Sequence, residues 1–332
     1  MKAFVIEKYS GPVHAAEVPE PTVGPDDVLV DVAAASVNPL DMLIRGGTFK
    51  QLLKYRFPLA LGHDVSGTVT AVGSNVTGVA VGDEIFARPR DLRIGTFAER
   101  IAIDHRDVAP KPASLSFAEA AAVPLVALAA WQMLVDTALV GPGSKVLVHA
   151  GAGGLGSTVV QLARHIGAHV AATAGTRSVA LVRALGADEV IDYRTTDFAE
   201  VLSGYDLVID AVGGENLLKS FTVLRPGGLA LGVTGPPDAG FARQLGAPKP
   251  FELVLSLLSR KVRRAATKNG VTYRFFFMHA DGARLRELGA LYDQGTLRPV
   301  VDSTFAFDDT LDALAHVEAG KTRAGKVVIT RD

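Results

Sequence analysis

The chain contains no cysteine. Disulfides, thiolate nucleophiles and cysteine-ligated zinc are excluded outright, and the cytoplasm is the expected location. A charge excess is missing too: 34 Lys and Arg face 35 Asp and Glu, a formal net charge of −1. Such balance gives no footing for nucleic-acid or acidic-membrane binding. Apolar stretches are interrupted before they reach spanning length. Ala118 to Leu134, for example, contains Glu119, Pro124 and Gln132, so no membrane span is expected. The opening Met1-Lys-Ala-Phe-Val-Ile-Glu7 is strand-like and broken by a charge, and reads as neither a signal peptide nor a transit peptide. At 332 residues the chain is long for one core and suits two domains.

What is present is a cofactor signature. The apolar run Val146-Leu-Val148 breaks into Gly151-x-Gly153-x-x-Gly156, and Val159, Val160, Leu162, Ala163 and Ile166 then recur at helical spacing. Strand, glycine turn and helix together make the dinucleotide-binding fingerprint. Gly151 is expected to permit the tight turn, Gly153 to let the backbone approach a pyrophosphate, and Gly156 to allow close helix–strand packing. The pyrophosphate would sit on the free N–H groups at the helix start. The next strand, His169–Thr173, ends at Ala174-Gly175-Thr176-Arg177, with no carboxylate until Asp188. An NAD enzyme would place an acid about twenty positions beyond the glycine loop. Its absence removes repulsion against a 2′-phosphate, and Arg177 can bind phosphate in a fork, so NADPH is the expected cofactor.

Residues 1 to about 115 are β-rich, with candidate strands Ala3–Glu7, Val28–Ala35, Val65–Val72, Glu84–Ala87 and Phe97–Ile103. Ser116-x-x-Glu119 is a capping box, and Pro124 is expected to break the helix that it starts. After Lys145 strands and helices alternate, which means an α/β fold with a parallel sheet covered on both faces. One helix, Phe251–Ser259, is expected before an apolar strand, Val271–Phe277. Helices at Ala283–Tyr292 and Thr310–Glu318 and a strand at Lys326–Thr330 close the chain. Function is expected in a cleft between the domains, beyond the carboxyl ends of the sheet strands.

With Ser36-Val-Asn-Pro-Leu-Asp41, Leu61-Gly-His-Asp-Val-Ser-Gly67, Val81-Gly-Asp-Glu-Ile85, Leu185–Tyr193, Asp210-Ala-Val-Gly-Gly214 and Gly325-Lys-Val-Val328, this order resembles the medium-chain dehydrogenase/reductase superfamily. Tyr273-Arg-Phe-Phe-Phe-Met278 and Gly295-x-x-Arg-Pro299 are similar to its zinc-free quinone oxidoreductase branch, and within that to reticulon-interacting mitochondrial NADPH oxidoreductases and bacterial relatives. The resemblance implies a GroES-like β-rich catalytic domain, 1–124 completed by 271–332, and a doubly wound Rossmann domain, 125–270. It implies that Gly153, Gly154 and Leu155 meet the pyrophosphate, and that Gly175, Thr176, Arg177 and Tyr193 surround the 2′-phosphate. Val212 and Val233 would lie along the nicotinamide ribose, Asn38 would line the nicotinamide end, and Phe276 and Phe277 would wall the substrate side. It implies a homodimer as well, since relatives pair sheets and Val271–Phe277 offers an edge.

Gly62-His63-Asp64 is similar to the Gly-His-Glu motif of zinc alcohol dehydrogenases, but the first-ligand position is Asn38 and the later segment, Ala122-Val-Pro124-Leu-Val, offers no donor. A catalytic zinc needs three protein ligands, so no metal is expected. Without a Lewis acid the acceptor must already be electron-poor, a quinone or an activated C=C bond. The expected activity is NADPH-dependent, zinc-independent quinone reduction. The alternatives are a 2-enoyl or α,β-unsaturated carbonyl reductase, or an NADPH-binding protein with vestigial activity. No proton donor stands out. A tyrosine of some relatives is Phe49 here, Tyr55 is a weak substitute, and Asn38, His63 and Tyr55 remain the cleft candidates.

Overall fold

The computed structural model describes residues 1–331. They form two compact units, one of residues 1–128 with those from 279 onward, the other of residues 129–278. The sequence reading puts these divisions at 124/125 and 270/271. The second differs because Thr272–Phe275 pairs with Leu224–Gly232 inside the parallel sheet, which carries the boundary past Met278.

In the first unit the organising element is the strand Asp27–Val37, whose Val and Ala side chains are mostly buried. Along one edge it pairs antiparallel with Asp64–Val72. Its other edge is shared, by Arg100–Asp104 at its start and by Lys326–Thr330 at its end. Irregularities at Leu29/Val30 and Val32/Ala34 allow this division, since bulges bend a strand and re-aim it. Val301–Ala306 extends the sheet beyond Lys326–Thr330, and Glu84–Ala87 with Val108–Pro110 extends it the other way. A small second sheet sets Lys2–Ile6 between His14–Glu17 and Leu59–Ala60.

The registers Ser36↔Asp64, Val37↔Val327 and Val65↔Ala87 have a consequence for chemistry. They bring the strand ends that carry Asn38, Asp64, Arg88 and Lys326 to one end of the sheet. The capping box is present: the Ser116 Oγ accepts from the Glu119 N–H, and Glu119 Oε2 accepts from the Ser116 N–H at 2.9 Å. The capped helix is short, Phe117–Ala121, and Pro124 opens the next one, Pro124–Trp131. A proline at a first helical position loses no hydrogen bond, so here it starts a helix as well as ending one.

The second unit holds six parallel strands in the spatial order Glu189–Asp192, His169–Ala174, Lys145–Val148, Tyr205–Asp210, Leu224–Gly232 and Thr272–Phe275. Val146, Leu147 and Val148 are wholly buried, as expected of a central strand covered on both faces. The chain runs outward from Lys145–Val148 to one edge, returns beside it at Tyr205–Asp210, and runs to the other edge. That reversal falls at the carboxyl ends of the two central strands, the usual ligand position in such sheets. Where the sequence suggested one helix at Phe251–Ser259, there are three: Ala239–Gln244, Lys249–Leu258 and Arg260–Lys268. Among the described residues no helix is long and apolar enough to cross a membrane.

Candidate active site

In the second unit the chain leaves Lys145–Val148 and turns at Ala150, whose φ of 54° is left-handed. The tight turn expected of Gly151 therefore falls one residue earlier. Gly151 serves packing instead: a Cβ there would lie 2.8 Å from the Ala172 Cβ on the neighbouring strand. Gly156 does what the motif requires, since its Cβ would stand 2.2 Å from the Ala150 carbonyl oxygen. Helix Gly154–Ile166 can thus press its first turn onto the loop. No side chain caps this helix, and Gly153, Gly154 and Leu155 are half-buried while Gly151, Ala152 and Gly156 are buried. The uncapped N–H groups and the positive end of the dipole are suited to an anion.

At the end of His169–Ala174, Gly175 leads into a turn with Thr176 and Arg177 exposed. Parallel pairing of Ala174 with Asp192 brings Tyr193 and Arg194 alongside. The Tyr193 hydroxyl stands 3.3 Å, and Arg194 Nε 3.6 Å, from where a Cβ on Gly175 would be, and the Arg194 guanidinium lies 5.6 Å over the Tyr193 ring. The sheet gathers Gly175, Tyr193 and Arg194, of which Arg194 escaped the sequence reading. It also corrects the expectation of a carboxylate-free strand end, because Asp192 is there. The Thr176 hydroxyl and the Arg194 N–H hold the Asp192 carboxyl below the usual carboxylate range. Linear distance along the chain concealed a neighbour that strand pairing supplies.

Val212 and Val233 are both tied to one residue. The Asp210 carboxylate, wholly buried at its strand end, accepts from the Val212 N–H at 2.8 Å and the Gly213 N–H at 3.0 Å. Its carbonyl accepts from the Val233 N–H at 3.0 Å. Val212 is exposed and Val233 half-buried. Phe277 does not join this group. Its ring lies 4.9 Å from Phe241, which also meets Phe275 at 5.2 Å, so it belongs to an aromatic core cluster. Phe276 is half-buried, its N–H bonded to the Gly232 carbonyl.

The first unit holds a buried polar network at the sheet end described above. Asp64 Oδ2 accepts from Ser36 Oγ at 2.8 Å, Asn38 Nδ2 at 2.8 Å and Lys326 Nζ at 3.2 Å, and Asp64 Oδ1 accepts from the Leu125 N–H at 2.7 Å. Lys326 Nζ also donates to Asn38 Oδ1. Beside it, His63 Nδ1 lies 2.5 Å from Asp41 Oδ1, while Asp41 Oδ2 accepts from the Asn38 N–H at 2.7 Å. All six side chains are buried. His63 Nε2 has no partner among the described residues. Asn38 and His63 are therefore brought together, through Asp41. Lys326, Ser36 and Asp41 are additions, visible in the sequence only as parts of longer motifs. Tyr55 is buried separately, its hydroxyl without a hydrogen-bond partner among the described residues, and burial pushes its phenol well above the usual tyrosine range. It is a weaker acid than a free tyrosine. Arg88, also wholly buried, donates to Asp91 Oδ1 at 2.7 Å and the Pro89 carbonyl at 3.0 Å.

Residues 24–113 match the family described as Alcohol dehydrogenase GroES-like domain, and residues 185–329 match Zinc-binding dehydrogenase. The NAD(P)H oxidoreductase RTN4IP1, mitochondrial, of Danio rerio is 33% identical over 326 residues, covering 92% of this chain and 84% of that protein. The chain belongs to the medium-chain dehydrogenase/reductase superfamily. Within the superfamily it is quinone-oxidoreductase-like. The structure of the quinone oxidoreductase from Coxiella burnetii superposes with a TM-score of 0.85 at 30% identity, over 99% of each chain. The NADPH-dependent alkenal/one oxidoreductase, chloroplastic, of Arabidopsis thaliana is 33% identical over 342 residues, 99% of this chain and 79% of its own length. The GroES-like and Rossmann-type architecture read from the sequence holds, and the protein is an NAD(P)H-dependent oxidoreductase of this superfamily.

The second family name raises zinc, and the residues present do not fit it. Among the described residues no group of three or more His, Cys, Asp or Glu side chains is placed to hold a metal ion. Asn38, at the superfamily's first ligand position, spends both ends of its amide on Lys326 and Asp64. An ammonium group already stands 3.2 Å from the Asp64 carboxylate.

Proposed function

We propose that the protein is an NADPH-dependent, zinc-independent reductase that transfers hydride to quinones. The observation that carries the cofactor assignment is the uncapped helix start at Gly153–Leu155, with Arg177 and Arg194 beyond the ends of the next two strands, His169–Ala174 and Glu189–Asp192. The glycine backbone would hold the pyrophosphate, and the two guanidinium groups with Tyr193 would hold the 2′-phosphate. They outweigh Asp192, whose carboxylate is already engaged by Thr176 and Arg194. Asp210 would fix Val212 and Val233 along the nicotinamide ribose. NADPH, when bound, supplies the hydride. Reduction of a quinone to a quinol takes one hydride and one proton, and solvent suffices as the proton source. An electron-poor acceptor needs no Lewis acid, which agrees with the poor donor set around His63. The likeness to the Coxiella burnetii quinone oxidoreductase supports the acceptor class. A second reading, reduction of α,β-unsaturated carbonyls, is favoured by the likeness to the Arabidopsis thaliana alkenal/one oxidoreductase and uses the same cofactor residues.

The test is cofactor oxidation followed by absorbance, with NADPH and NADH side by side and 1,4-benzoquinone, phenanthrenequinone and an enone as acceptors. Quinone-dependent loss of NADPH is expected, at least about tenfold faster than with NADH at low cofactor and indifferent to chelator. Turnover with the enone alone would move the assignment to the second reading. Equal rates with both cofactors would remove the 2′-phosphate site.

A further inference from the structure

The parallel-sheet unit carries two consecutive helices of opposite character, Lys249–Leu258 and Arg260–Lys268. In the first, Leu253, Val254, Leu257 and Leu258 are 51–64% exposed. Their spacing sets all four on one helix face. Isolated exposed apolar side chains are ordinary, but four together are a patch. No residue of that helix is fully buried. In the second helix Arg260, Lys261, Arg264 and Lys268 are exposed, again at helical spacing. Arg263 turns the other way and joins the two helices, donating to the Ser256 carbonyl at 2.8 Å and to Ser259 Oγ at 3.1 Å. Between Glu252 and Asp281 the chain has no acidic residue, and Glu252 is itself paired with Arg243 at 2.9 Å. The whole-chain charge of −1 conceals this run.

We propose that this face docks the protein on an anionic lipid surface, with the leucines entering the boundary between headgroups and acyl chains and the bases meeting lipid phosphates. An exposed apolar face beside clustered Lys and Arg is the composition of helices that lie in a membrane interface. Two other occupants fit less well. A two-fold contact would set this patch against a copy of itself, which between Glu252 and Asp281 holds no acidic residue to meet the bases. A nucleic-acid backbone would satisfy the bases and leave the leucines in water. The proposal does not depend on the acceptor or on the cofactor assignment.

The experiment is co-sedimentation of the full chain with vesicles of phosphatidylcholine alone, or with about one part in three phosphatidylglycerol. Binding is expected only to the anionic vesicles and should weaken at roughly 0.5 M salt, where exposed charges are screened. Two variants separate the contributions, Leu257→Ser/Leu258→Ser and Lys261→Glu/Arg264→Glu. Each should lower the partition coefficient by at least about tenfold with an unchanged thermal midpoint, because all four side chains are exposed. Absence of binding to anionic vesicles overturns the proposal. So does a leucine variant that binds like the parent, since the contact would then be ionic adsorption alone. A leucine variant that lowers the oligomeric state in light scattering, with no vesicle binding by the parent, assigns the face to a second copy.

Discussion

Arg177 and Arg194 follow different strand ends, which lie side by side because Ala174 pairs with Asp192. On the proposed cofactor assignment, their value to the protein would rest on what they discriminate. A guanidinium contact to a phosphate is charge-assisted and absent for a cofactor without that phosphate. Arg177→Glu and Arg194→Glu should each weaken NADPH binding by about 1–3 kcal/mol while leaving NADH binding nearly unchanged. Titration calorimetry with both cofactors checks this, and an equal loss for NADH and NADPH would place the arginines away from the 2′-phosphate. Only half of this pair was readable from the chain. Arg177 lies two residues beyond Gly175 at a predicted strand end, whereas Arg194 and Asp192 come from the next strand and its end and needed the sheet.

Elements meet around Lys326, whose ammonium links the end of Asp27–Val37, through Asn38, to the start of Asp64–Val72, through Asp64. Removing one partner of a buried ion pair leaves the other charge uncompensated, so Lys326→Met should cost about 3–5 kcal/mol of stability. The double variant Lys326→Met/Asp64→Asn should cost clearly less than the sum of the two single changes. Urea unfolding of the four proteins measures the coupling, and strict additivity would mean that the two groups do not act as a pair. This network also shows where sequence reading stops. The glycine loop was legible because its constraints are consecutive: Val146–Val148, Gly151, Gly153 and Gly156 sit in one short string. Lys326 and Asn38 lie 288 residues apart and are joined by register alone. The helix Arg260–Lys268 escaped for another reason. Its face is marked by charge, and apolar periodicity is blind to that.

For the molecule as a whole, alternation of strand and helix after Lys145 was enough to foresee a parallel sheet, because its inner strands, such as Lys145–Val148 and Tyr205–Asp210, are buried on both faces and carry apolar runs. The β-rich unit was readable as a class but less so in detail. Its pieces Leu59–Ala60 and Val108–Pro110 are too short to show a period, and their pairing is decided by distant strands. Stability of the assembled fold should report one buried group with particular clarity. His149, at the end of Lys145–Val148, bonds Thr173 Oγ1 at 3.1 Å and Ser220 Oγ at 2.8 Å. Since the Ser220 hydroxyl donates to the Asn216 carbonyl at 2.7 Å, Nε2 carries the proton and Nδ1 accepts from Thr173. That neutral tautomer is complete, and burial pushes the imidazole down to about 4 despite the nearby Asp210 carboxylate. Above the unfolded value of about 6.5 both states are neutral and the fold keeps its full stability. As pH falls toward 4 the unfolded chain takes up a proton that the folded chain refuses, so stability drops by about 3 kcal/mol and then levels off. Carboxylates held low by ion pairs, such as Asp104 beside Arg106, lose their contribution only at still lower pH. Urea unfolding from pH 7.5 down to about 4.5, on the parent and on His149→Gln, isolates the histidine. The difference between the two proteins should shrink as pH falls, and a constant difference would mean that His149 titrates alike in the folded and unfolded chains.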